Sequence, residues 1–186
     1  MTFGLFLRII IRMKTKTDVW VHILRAILFA GLLATLWLIF FHSAQSGDVS
    51  ATQSVTVTHK VQEVVGAINP SSPIATATGA EFDFLHACIR NLAHFCEYAL
   101  LGVCSFGLYL SFSREKRYAF FPVAFAWLTA VFDEFTQTLS DGRAAEWTDV
   151  LVDGVGVLTG SVCALAVFLV GFLIVKRTVR NLGAKS

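Results

Sequence analysis

Apolar and polar positions alternate along this chain in long blocks. Four apolar runs stand out, at residues 20–41, 92–112, 118–139 and 150–175. A helix needs about 20 apolar residues to cross a bilayer core, and each run meets that length. Charges interrupt them sparsely: Arg25 in the first, Glu97 in the second, Asp133 and Glu134 near the end of the third, Asp153 in the fourth. The bilayer offers no water to the backbone, so the runs predict helices rather than strands. The expected fold is all-α: a polytopic membrane protein whose four-transmembrane-helix bundle forms one domain, residues 20–175. A cytoplasmic or interfacial segment, 1–19, precedes it, and a basic tail, 176–186, follows. Between the first two spans, Val57, Val61, Val64, Val65 and Ile68 recur at helical spacing opposite Lys60, Gln62 and Glu63. This pattern predicts an amphipathic helix, broken at Pro70 and Pro73, lying on the outer membrane surface. A lid over the bundle is its simplest role, and a gate over a site is the alternative.

Composition agrees. The 186 residues are 55% hydrophobic and only 15% charged, where a soluble domain carries about 25% charged residues. With 17 Phe and 4 Trp, the chain is not disordered. A net charge of +2 with no basic stripe excludes a nucleic-acid binder. Charge placement says more than the total. Of 15 basic residues, only Lys60, Arg90 and Arg143 fall on the side that carries the long connection, whereas of 13 acidic residues only Asp18 and Glu115 fall on the other. The positive-inside rule therefore predicts a multi-pass membrane protein with both termini cytoplasmic. The first run, at about 22 residues, exceeds the apolar region of a signal peptide and reads as an uncleaved anchor. Residues before Met13 read either as an interfacial segment or as an upstream start. Cys88, Cys96, Cys104 and Cys163 show no metal spacing and read as small apolar helix residues.

Ionisable groups inside spans are costly and tend to face a bundle interior or a wet cavity. Arg90, His94 and Glu97 share one helical face. Gln137 lies one turn from Asp133 and Glu134, and Asp149, Asp153, Gly156 and Gly160 form one stripe. At about 1.5 Å per residue, Glu97, Asp133 and Asp153 all lie on the order of 10–14 Å below the outer boundary. Gly156 and Gly160 would let helices approach closely, which predicts one polar pocket facing outward. Its carboxylates, Glu97, Asp133, Glu134, Asp149 and Asp153, outnumber Arg90, Arg143 and His94. Two readings fit: an ion-pair network pinning the helices, or a site for a cationic or phosphate-bearing ligand.

In order and spacing these polar positions resemble the VanZ-like family of bacterial membrane proteins. Ser43-Ala-Gln45 is similar to the family's S-x-Q element, and Arg90-Asn-Leu-Ala-His94-Phe-Cys-Glu97-Tyr98 to its R-K-x-A-H-F-x-E-Y block. Asp133-Glu134-x-x-Gln137, Gly142-Arg143, Asp149-x-x-x-Asp153 and Gly156-x-x-x-Gly160 resemble its remaining signature. Asn91 and Thr136 depart from it, standing where Lys and His are common. The resemblance implies a cell-envelope role, since the family takes its name from a protein associated with teicoplanin resistance, but it supplies no reaction.

Three functions are compatible with these residues. The first is binding of membrane lipid, a lipid-linked envelope molecule or a lipoglycopeptide, through Ser43, Gln45, Arg90, His94, Glu97, Tyr98, Asp133, Glu134, Gln137, Arg143, Asp149 and Asp153. The second is a hydrolase or transferase, with His94, Glu97, Asp133, Glu134 and Asp153 as catalytic candidates and Ser43 as nucleophile if His94 comes near it. No HExxH or GxSxG motif supports it. The third, ion or proton translocation, is weakest, because Phe106, Phe125, Trp127 and Phe168 would plug the inner half. No resident cofactor is expected, and a divalent cation at the carboxylates stays open.

Overall fold

A computed structural model describes residues 2–112, 115–142 and 146–183; side chains are described from Val19 onward, except at positions 116, 175, 176 and 178–183. All regular structure among the described residues is helical: α1 (Thr2–Ser43), α2 (Gly47–Ile68), α3 (Pro73–Thr76), α4 (Ala80–Phe112), a 3-10 turn (Lys116–Tyr118), α5 (Phe120–Gln137) and α6 (Trp147–Gly183). Three segments are long and apolar enough to cross a membrane: Val19–Ser43, Ala80–Phe112 and Trp147–Ile174. The expected third span is a helix, α5, but falls outside that group. Its 18 residues suffice in length, but Asp133, Glu134 and Gln137 in its last turns lower its mean hydropathy.

Burial is inverted relative to a water-soluble protein. Asp133, Asp153, Gln137, Thr35 and Ser43 are buried, while Trp20, Ile27, Trp37, Leu128, Val162 and Val167 are exposed. In water this surface would expose a very large apolar area. Against lipid tails it costs nothing, and the polar residues turn to one another in the interior.

Contacts fix the helix directions. Arg25 near the start of the apolar part of α1 donates to the Ser111 carbonyl at the end of α4 (2.5 Å), while His42 at the end of α1 meets Glu97 on α4 (2.8 Å), so these helices are antiparallel. Arg25 also lies over the Phe112 ring, 4.1 Å from its centroid. Its charge thus sits against the carbonyl end of α4, where a helix favours cations. Phe40 packs on Phe132 and Ser43 on Thr136, which sets α5 parallel to α1.

The tightest packing joins α4 to α6. A Cβ at Gly156 would lie 2.6 Å from the Phe95 carbonyl oxygen, and one at Gly160 would lie 2.7 Å from the Ala99 carbonyl carbon. Gly102 on α4 answers by resting on the Val157 backbone. The expected close approach therefore occurs, with glycines on both helices.

Helix α2 corrects the sequence reading. It begins ten residues before Val57, and its expected apolar stripe is split: Val61 and Val65 are half-buried, whereas Val57, Val64 and Ile68 are exposed. Gln62, expected on the polar face, turns inward and donates to the Ala77 (2.9 Å) and Ile74 (3.2 Å) carbonyls. Ser54 hydrogen-bonds to His86 at 2.7 Å, and His59 stacks near Phe82. Polar anchoring to α3 and α4, rather than apolar periodicity, sets its rotation.

The α1–α2 corner is stitched to the segment after α5. Gly47 N–H donates to the Asp141 carbonyl (2.9 Å) and Ser140 Oγ to the Ser43 carbonyl (3.0 Å). Gly142 has φ +75°, a conformation that glycine adopts without strain. Its carbonyl oxygen would lie 2.7 Å from a Cβ at Gly47, so the two glycines seat the corner together.

Candidate functional site

Under α2 lies an open cavity of about 270 Å³ bounded by α1, α2, α4 and α5. Seven of the expected binding residues line it: Ser43, Gln45, Arg90, His94, Glu97, Asp133 and Gln137. Tyr98, Glu134, Asp149 and Asp153 do not; they are buried outside its lining. Arg143 lies outside the described residues. The lining also contains residues the sequence reading missed: His42, and Ser50, Gln53 and Ser54 from α2. Their signal was present, since Ser50, Gln53, Ser54 and Val57 repeat at helical spacing.

The charges sort into two sets. In one set each side chain has a short contact across helices, although Arg90 Nε and Glu134 Oε2 are themselves buried without a partner. Arg90 donates to Asp149 Oδ2 at 2.8 Å, and His42 meets Glu97 Oε1 at 2.8 Å. Glu134 Oε1 accepts the Glu146 N–H at 2.5 Å, directly ahead of α6, where a helix start leaves N–H groups unsatisfied. These three contacts tie α1 to α4, α4 to α6 and α5 to α6. They are the pinning network that the acidic surplus suggested.

The other set is not closed. Asp133 Oδ2 accepts from Gln137 (3.1 Å), but its Oδ1 is buried without a hydrogen-bond partner. Asp153 Oδ1 and His94 Nδ1 are likewise buried and unpartnered. They face each other at 3.6 Å, which exceeds a hydrogen bond. Ligand atoms of His94, Asp133 and Asp153 all fall within 4.8 Å of one another. Buried polar groups usually find partners, so the orphaned atoms of His94, Asp133 and Asp153, with the unpartnered Tyr98 hydroxyl beside Asp133, mark a distinct polar centre. His94 and Asp133 carry it to the cavity wall.

Ser43 and His94 line the same cavity. Ser43 Oγ lies 2.6 Å from Thr136 Oγ1, where either hydroxyl can donate, and both reach the Asp133 carbonyl, Ser43 at 3.3 Å and Thr136 at 2.8 Å. No hydrogen bond joins Ser43 to His94 among the described residues. Thr136, one of the two departures, thus holds the end of α1 against α5. The expected inner plug is also only partial: Phe106 is buried, whereas Phe125 and Trp127 are exposed on the outer face of the bundle and Phe168 is half-buried.

Apolar helices, three of them long and apolar enough to cross a membrane, around buried polar side chains are the pattern of a helical membrane protein. A family model described as VanZ/LLP1 matches residues 27–171. The chain belongs to that family, and the match takes in every described residue of the polar centre. No curated protein and no solved structure matches it.

Proposed function

We propose that this protein sits in the bacterial cell membrane with both termini cytoplasmic and α5 as a fourth crossing. In this reading α2 lies on the outer face, over the cavity. The cavity receives the polar head of an amphiphilic envelope molecule, whose tail lies along the apolar exterior of the bundle. The observation that carries this reading is the cavity itself: a space of about 270 Å³ whose wall combines polar side chains, among them Arg90, His94, Glu97 and Asp133, with apolar surface. Small-molecule pockets run from about 300 to 1,000 Å³, so this one suits a head group. A whole lipoglycopeptide is far too large for it. A contribution to teicoplanin tolerance would therefore act through an envelope lipid, or through the antibiotic's lipid tail at the outer leaflet.

Native mass spectrometry of protein released from bacterial membranes tests this. Wild type retains an acyl-bearing adduct, and Ser50→Trp, which fills the cavity from α2, loses it while keeping its thermal stability. Equal retention by both proteins, or by neither, rejects the reading.

A second reading, a hydrolase or transferase for a lipid-linked or phosphorylated envelope substrate, is favoured by the His94–Asp153 pair beside Asp133. Turnover that survives Asp133→Ala combined with Asp153→Ala would remove it. Translocation is supported less, since no described Asp, Glu, Lys, Arg or His continues the polar centre into the inner halves of α4, α5 and α6.

A further inference from the structure

We infer that His94, Asp133 and Asp153 form a binding site for a single first-row divalent metal ion. The argument starts from the cost of the arrangement. Asp133 and Asp153 are 2% and 1% exposed, and each has one carboxylate oxygen with no partner. A charged carboxylate held this way is costly unless a proton, a cation or hydrogen bonds compensate. Among the described residues that line the cavity, Arg90 is bound to Asp149 and His42 to Glu97. His94 alone faces Asp153, and at 3.6 Å it makes no hydrogen bond.

That spacing has a different natural meaning. Two ligands about 2.1 Å from one ion in a tetrahedral arrangement lie roughly 3.4 Å apart. The His94–Asp153 gap already has this length, and all three ligand atoms lie within 4.8 Å of one another. Shifts of about 1 Å in side-chain position, well within rotamer adjustment, would bring Asp133 Oδ1 into the same sphere. The donor set is one imidazole nitrogen and two carboxylate oxygens. It suits Mn²⁺ or Zn²⁺; it lacks the sulfur that Cu⁺ prefers and the six to eight oxygens of a Ca²⁺ site. Gln137 donates to Asp133 Oδ2 and so fixes the carboxylate with its free oxygen turned away, as outer-shell partners of metal ligands do. Three helices supply the three ligands, so the ion would also fasten α4, α5 and α6 at one level.

The site borders the cavity, because His94 and Asp133 line it. A bound divalent ion would cancel both carboxylate charges and turn an acidic wall into an acceptor for an anionic head group such as a phosphate. This last step rests on the head-group reading above; the metal site does not.

Mn²⁺ provides the test. Metal-depleted protein in phosphatidylcholine nanodiscs is titrated with MnCl₂, and free Mn²⁺ is followed by electron paramagnetic resonance. One equivalent binds, and pulsed measurements show one ¹⁴N coupling on the bound ion, which His94→Gln removes. Asp133→Asn and Asp153→Asn each weaken binding at least tenfold, whereas Asp83→Asn, on the exposed first turn of α4, leaves it unchanged. Absence of stoichiometric binding, bound Mn²⁺ without nitrogen coupling, or affinity equal to wild type in Asp153→Asn overturns the inference. Should the aspartate variants fail to fold, the wild-type stoichiometry and nitrogen coupling decide. Adduct retention is scored separately in metal-depleted protein, so the metal site and the head-group reading fail independently.

Discussion

Gly160→Ala puts the packing beneath the site to a direct test. A Cβ there would stand 2.7 Å from the Ala99 carbonyl carbon and 2.9 Å from the Val103 nitrogen, and closest of all to the Ala99 carbonyl oxygen. These are backbone atoms of α4 and have no rotamer by which to yield. Ordinary carbon contacts begin near 3.5 Å, so α4 and α6 must part by roughly 1 Å. Overpacking of this kind costs about 1–3 kcal/mol; at 3 kcal/mol the unfolding equilibrium shifts about a hundredfold. The control is Gly171→Ala on the same helix, where an added Cβ meets nothing within 4 Å. There the exchange gains up to about 1 kcal/mol of helix propensity. Reversible unfolding by steric trapping in bicelles reads both variants. The parting should also widen the 3.6 Å His94–Asp153 gap, visible as weakened Mn²⁺ binding in Gly160→Ala alone. Wild-type stability in Gly160→Ala, or an equal loss in Gly171→Ala, would refute the backbone-contact argument.

Other expectations use the same assays. Arg90→Met leaves the buried Asp149 carboxylate alone and destabilises by about 1–3 kcal/mol, less than for a fully buried pair because Arg90 is 38% exposed; adding Asp149→Asn recovers part of the loss. Glu134→Ala removes the acceptor for the Glu146 N–H and costs about 1 kcal/mol, as loss of a helix cap does, whereas Glu134→Gln keeps an acceptor and loses less. Under the proposed orientation, the exposed Cys88 on the outer end of α4 reacts with a membrane-impermeant maleimide added to intact spheroplasts. Labelling only after lysis would reverse the orientation.

Much of this molecule was legible in the sequence because a bilayer simplifies the pattern. The apolar runs gave α1, α4 and α6, and the paired glycines gave the α4–α6 contact, since their spacing of four places both on one helix face. The polar residues marked the site for the same reason: in an apolar stretch each one is conspicuous. Less legible was which carboxylates would be closed. Asp149 and Asp153 lie one turn apart on the same stripe, yet one meets Arg90 and the other only His94 at a distance. Side-chain reach across helices decides that, and spacing along one helix carries no information about it. His42 was missed because it ends an apolar run, where a polar residue looks like a boundary. In α2 the valines suggested an apolar face, but hydrogen bonds from Ser54 and Gln62 set the rotation instead.

The central claim is that the cavity under α2 holds the head of an envelope amphiphile. Photocrosslinking from inside it in living bacteria is the most direct measurement. A benzophenone amino acid replaces Gln53, which lines the cavity, and in a parallel strain Lys60, which is exposed on α2. After illumination, the mass of the purified protein is determined. The account predicts an acyl-bearing adduct of one defined mass at Gln53 and no such adduct at Lys60. An unmodified protein at Gln53, or the same mixture of membrane lipids at both positions, would contradict it.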